Sequence, residues 1–282
     1  MSTSGPAFPA RPTPAALPGL RLRGRTGPLR LAVSGDLWRA AWFLIVYVFA
    51  AGWLLFAVSF TAVTVAAAMC VTIAGIPLLT AAAGVLRGCA SAERARLRPV
   101  LNGPLRGSYR PAAGTGILAS ARSRWQDAAT WRDLAYLTGL WGPLFALDTA
   151  VVTVWLTFLL GITMPAWYWA PQNSYAPGRT AHGVQLGYFP NGPHGPGGHG
   201  FYITTLPQAI AAAVAFAVAF LLFNYVLVGT ARLHAAAARG LLGPHSDPLA
   251  PARAVLAAPG PSSLLAGQPA GADPAAHHVP DR

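Results

Sequence analysis

Three histidines, His182, His194 and His199, stand in one stretch rich in glycine, proline and tyrosine. Imidazole nitrogens suit zinc, copper or nickel, which makes these the candidate metal ligands of the chain. The run His194-Gly-Pro-Gly-Gly-His199 lacks the helical i,i+4 spacing of a strong metal motif, so a solvated loop is the stronger reading. Asp148 is chemically more pointed, because it interrupts a long apolar run. A carboxylate at mid-membrane costs roughly 2.5–3.5 kcal/mol even on the lenient insertion scale, so it must face other helices and find partners. Asn224, Ser59 and the threonines of the apolar runs are the candidates. Asp148 then reads either as a proton or polar-ligand site or as a hydrogen-bonded helix contact. Two Trp-Arg pairs, Trp38-Arg39 and Trp131-Arg132-Asp133, each precede a long apolar run. Their physical role is anchoring, with the indole at headgroup depth and the guanidinium on phosphate.

The elements that must carry these groups follow from composition. Of 282 residues 54% are apolar and only 10% charged, which excludes an ordinary soluble domain, where about a quarter are charged. Every one of the 20 basic residues is Arg, set against 8 acidic residues, for a net charge of +12. Residues 40 to 86 contain no formal charge. As one helix they would reach about 70 Å, roughly twice a hydrocarbon core of about 30 Å, so the run must cross twice. The reading places spans at 40–58 and 64–86, with the turn near Ser59 to Thr64. Pro77 falls late in the second span and acts there as a bend. Further spans at 136–160 and 205–229 give four. Pro165, which closes the third, is the second hinge candidate. Between the second and third spans lies a linker, 87–135, with nine Arg against Glu93, Asp127 and Asp133. Its first helix stops near Pro99, and a second begins at about Ile117 and runs into the third span.

Residues 165–204 form a small loop in which Arg179 is the sole formal charge; a hairpin through 184–189 and 201–204 fits there. Tyr175, Tyr188, Phe189, Phe201 and Tyr202 suit packing of that loop onto a membrane surface. Residues 1–35 and 244–282, rich in Pro, Gly and Ala, read as a disordered Arg-bearing arm and a disordered tail. Retention of positive charge on the cytoplasmic side places both ends and the linker inside, and the 165–204 loop outside. The expected fold is therefore all-α: a polytopic membrane protein with four transmembrane helices, a cytoplasmic helical linker and a small external loop. Anionic lipid is the expected partner of the Arg-rich surface, and no nucleic-acid motif accompanies it. No glycine-rich phosphate loop, metalloprotease His-Glu pair or nucleophile elbow is present, so no enzyme activity and no cofactor is expected.

Gly75-Ile-Pro-Leu-Leu79, Glu93-Arg-Ala-Arg-Leu97, Asp127-Ala-Ala-Thr-Trp-Arg-Asp133 and Pro165-Ala-Trp-Tyr-Trp169 together resemble the putative-sensor membrane domain of actinobacterial sensor histidine kinases. The resemblance covers about residues 36–243 and is most specific at Trp131-Arg132-Asp133. It implies signal input through a membrane domain, with a histidine kinase or response regulator as partner and homo-oligomer formation open. After Gly243 the chain has neither a heptad-bearing dimerisation helix nor a nucleotide-binding segment, so output is expected to pass through another polypeptide or through its own cytoplasmic loop and tails. The functional expectation is a non-catalytic membrane sensor or accessory signal-transduction subunit. The alternative is a small transporter or permease component using Asp148.

Overall fold

The computed structural model describes residues 17–22, 27–71, 75–109, 116–176, 179–192 and 195–244. The expectations for His194, for most of the arm 1–35 and for the tail beyond 244 lie outside the described residues. After a short helix α1 (Pro28–Ala32), Ser34 opens α2 (Gly35–Val46) by accepting the Leu37 N–H at 3.3 Å. A π-helical stretch, Tyr47–Ala51, joins α2 to α3 (Gly52–Ala68), so one helical path of 34 residues crosses the apolar region.

The turn expected at Ser59 to Thr64 is thereby corrected. Ser59 is fully buried inside α3, which runs on to Ala68 and a 3-10 turn at Met69–Val71, and α4 (Gly75–Arg96) begins beyond it. Isolated hydroxyls do not force a helix to end, because each can bond back to its own backbone. Thr80, Thr138 and Thr157 do so here, donating to the carbonyls of Ile76, Leu134 and Thr153. Pro77 moves with the turn: it stands in the first turn of α4, where a missing N–H costs nothing, rather than late in a span. Pro165 sits in a 3-10 turn, Met164–Ala166, beyond the third span. Neither proline interrupts the interior of a helix.

Beyond α4 the chain turns at Leu97 to Val100, as the Pro99 stop predicts. The linker helix expected from Ile117 is two helices, α5 (Ile117–Trp125) and α6 (Ala128–Leu134). They separate because Asp127 caps α6, its carboxylate accepting the Ala129 N–H at 3.1 Å. A second π stretch, Ala135–Gly139, leads into α7 (Trp141–Ile162). The last helix, α8 (Leu206–Leu242), is 37 residues and about 55 Å long, so its final turns extend past any hydrocarbon core. Among the described residues four helical segments are thus long and apolar enough to span a membrane, and the chain is an all-α polytopic membrane protein.

Between α7 and α8 lie two antiparallel hairpins. Strand β1 (Gln172–Ala176) pairs with β2 (Arg179–His182), and β3 (Val184–Tyr188) pairs with β4 (His199–Ile203) in the register Val184 opposite Ile203. The second is the expected hairpin; the first is additional. Met164, Val184, Ile203 and Ala209 bury together and seat the second hairpin on the start of α8. Helices α7 and α8 approach closely at Gly161, where a Cβ would collide with the Phe216 ring. The main core runs from this contact down to the linker, through Trp155, Leu227, Leu44 and Leu86.

Candidate functional site

The end of α4 leaves the apolar region carrying Glu93, Arg94 and Arg96, and these three organise the linker end of the bundle. Glu93 and Arg96 are one helical turn apart, so their side chains meet on one face. Glu93 is fully buried and accepts from both Arg96 Nε, at 2.8 Å, and Arg96 Nη2. Arg96 Nη1 donates to the Phe43 carbonyl at 2.7 Å, and its guanidinium lies 3.9 Å over the Phe43 ring. A planar five-donor fork can serve these directions at once; a lysine could not.

Four further elements converge on this pair through His234 of α8, which is fully buried. Its Nδ1 lies 2.6 Å from Asp148 Oδ2 on α7. Its Nε2 lies 3.1 Å from Arg96 Nη2 and 3.0 Å from the Tyr136 hydroxyl, which donates to Glu93 Oε1 at 2.7 Å. Arginine offers only hydrogens, so Arg96 can bond Nε2 only through its lone pair; the proton is then on Nδ1, where the Asp148 carboxylate accepts it. The Tyr136 oxygen, whose hydrogen goes to Glu93, is a polar neighbour of Nε2 and not a donor to it. Tyr47 completes the surround, its ring edge-on to the imidazole with centroids 4.5 Å apart. Both π stretches therefore deliver a tyrosine to His234: Tyr47 from the first, Tyr136 from the second. The widened turn is set by Gly52, where a Cβ would stand 2.8 Å from the Tyr47 carbonyl oxygen.

A second cluster ties the linker to the same end. Arg94 donates to the Leu242 carbonyl at 2.9 Å, filling an acceptor left open at the end of α8. It also donates to Tyr109 at 2.8 Å and Asp133 at 3.0 Å, while the Tyr109 hydroxyl donates to Asp133 at 2.6 Å. Burial pushes the Asp133 carboxyl above its ordinary range, with Tyr109 and Arg94 pulling it back. Burial and the Asp133 carboxylate hold the Tyr109 phenol up at about 12. Arg87 pairs with Asp127 at 3.2 Å and lies over the Tyr109 ring at 4.5 Å.

The residues singled out from sequence distribute unevenly over this geometry. Asp148 is buried as expected, but its partner is His234; Asn224 instead accepts from Trp155 Nε1 at 2.9 Å, and Ser59 Oγ has no hydrogen-bond partner among the described residues. Nor is Asp148 alone as a buried charge, since Glu93, Arg94, Asp127 and Asp133 share that state. In the Trp131-Arg132-Asp133 segment the roles split: Trp131 is 55% exposed with its Nε1 on the Trp125 carbonyl, whereas Asp133 is buried in the second cluster. Arg132 adds positive charge beside Asp133, and its buried Nε and Nη1 have no hydrogen-bond partner among the described residues. Trp38 is half-exposed and edge-on to Trp155, and Arg39 makes a surface pair with Asp36 at 3.2 Å. His182 ends β2 beside the Trp169 carbonyl and His199 begins β4; among the described residues no group of three or more ligating side chains is placed to hold a metal.

Sequence reasoning missed His234, Tyr136 and Tyr109. The i,i+3 spacing of Glu93 and Arg96 was the one available signal. Chemically, the His234 network has no exposed nucleophile; it is a set of directional bonds that fixes the register of α2, α4, α7 and α8 against each other. A family model described as "Putative sensor" matches residues 43–242, from Phe43 through the last turn of α8. No curated protein and no solved structure matches the chain.

Proposed function

The chain belongs to the Putative sensor family, and from that premise we propose that it is a non-catalytic membrane sensor that relays an external or intramembrane cue to a separate cytoplasmic partner. The observation that carries the reading is the His234 network. One imidazole holds together elements from α2, α4, α7 and α8, and Arg94 on the same α4 terminus holds the linker and the end of α8. A shift of α8 along α7 breaks bonds in both clusters and reorganises the linker surface. A cue drives such a shift only by binding two arrangements unequally. The proposed orientation follows the arginines, of which only Arg179 belongs to the hairpin end, so both termini and the linker are cytoplasmic. There the excess Arg faces anionic lipid, and a histidine kinase or response regulator is the proposed partner.

The test is photocrosslinking in native membranes from Leu118, an exposed position on α5, followed by mass spectrometry of the adducts. Recovery of a histidine kinase or response regulator is the expected result. Adducts with lipid and with the protein itself alone would overturn the relay reading.

A further inference from the structure

Under the β3–β4 hairpin, between it and the adjoining turns of α7 and α8, lies a cavity of about 550 Å³, within the range of small-molecule sites. Its wall on α8 is built from Ala211, Ala212, Ala215 and Ala219, whose small side chains leave the space open. Phe158 of α7 and Phe216 of α8 line it as well, and Gly161 is what lets Phe216 lie against α7. Among the described residues no charged one lines it. Tyr202 and Gln208 are the polar side chains of the lining, and the oxygen of each is engaged: the Tyr202 hydroxyl donates to the His182 carbonyl at 2.9 Å, and Gln208 Oε1 accepts the N–H groups of Thr204 and Thr205 at 3.1 and 3.3 Å. A polar occupant would surrender its water for little return, whereas an apolar one surrenders nothing.

The surface of α8 says where such an occupant comes from. Ile210, Val214, Val218 and Leu222 are exposed at i,i+4 spacing and form an apolar ridge. Ala211, Ala215 and Ala219 each follow a ridge residue by one position, about 100° around the helix, so the slot borders the ridge along its length. In a helix of spanning length and hydropathy that ridge faces lipid chains. A neighbouring helix, about 10–12 Å thick with its side chains, is too bulky for a slot of this size roofed by Leu186 and Phe201. We infer that the cavity binds one acyl chain of a membrane phospholipid, taken from the leaflet on the hairpin side. This goes beyond the relay proposal, since binding is read on the protein alone and stands or falls without a signalling partner.

The experiment uses the full chain in vesicles of phosphatidylethanolamine and phosphatidylglycerol doped with a phospholipid carrying a diazirine on one acyl chain. Photolysis should place adducts on the Ala211 to Ala219 segment and on Phe201. Ala215→Phe fills the slot, and Ala219→Leu is the milder change that keeps the test readable should the larger ring disturb folding. Each should lower adduct yield at those positions about tenfold or more, while Val218→Phe, on the ridge outside the cavity, leaves it unchanged. Undiminished labelling in folded Ala219→Leu would overturn the inference. So would labelling spread evenly along the ridge, or disulfide-linked pairs of the Ala215→Cys protein, which would put a second copy on this face.

Discussion

At the linker end of the bundle, Glu93, Arg96, His234, Asp148 and Tyr136 are joined by six close polar contacts, three of them to one imidazole. Toward the hairpin end, α7 and α8 meet through Gly161 and Phe216, beside a slot lined with alanine. The same two helices are therefore held in two ways. Hydrogen bonds and ion pairs weaken steeply with angle and distance, so the linker end tolerates few arrangements. Apolar packing has no preferred direction, and a slot bordering lipid can fill or empty with little polar cost. On the proposed relay, a change at the loose end would be read as a broken bond at the rigid end.

The comparison breaks most visibly if the rigid end is cut. Glu93→Ala leaves the Arg96 guanidinium buried without its carboxylate and should destabilise the protein by about 3–5 kcal/mol in micelle unfolding. A loss below about 1 kcal/mol would mean that the network is not what holds this end. Gly161→Ala tests the loose end by forcing Phe216 off α7; overpacking of this kind should cost about 1–3 kcal/mol and change the slot while leaving the linker clusters intact. Asp148→Asn sharpens the contrast, because the amide oxygen still accepts from His234 Nδ1. The expected loss is about 1 kcal/mol in the same unfolding measurement, and a much larger loss would give the charge itself a structural role.

Smaller effects follow at the linker surface. Burial and the neighbouring Asp133 carboxylate push the Tyr109 phenol up to about 12. The stabilisation it carries is fully present below pH 10 and is lost as pH climbs from there toward 12. Ultraviolet difference titration against Tyr109→Phe should find this phenol ionising above the ordinary tyrosine range, near pH 12. Arg39→Ala removes an exposed i,i+3 pair with Asp36 and should change stability by no more than about 0.5 kcal/mol.

Span number and type were legible in the sequence, since 47 uncharged residues between Arg39 and Arg87 cannot be buried by one crossing. Where those spans turn was not: Ser59, Thr61 and Thr64 look like an interface in one dimension, and only the continuous α3 shows that they lie inside a helix. Asp148 stood out because a lone carboxylate among apolar residues is costly wherever it lies. Its partner did not, because His234 is 86 residues away and sits among arginines, like any residue at a membrane boundary. Glu93 and Arg96 could be paired from spacing alone, whereas nothing local announced that Tyr109, in a loop, would close on Asp133.

By itself, then, the sequence determined a membrane protein of four apolar helices with its positive charge gathered on one side, because length, hydropathy and charge act additively along a chain. The tertiary structure alone decided which buried charges meet. Contacts such as Arg94 to the Leu242 carbonyl, 148 residues apart, depend on helix register and facing direction, and these are fixed only when the helices pack.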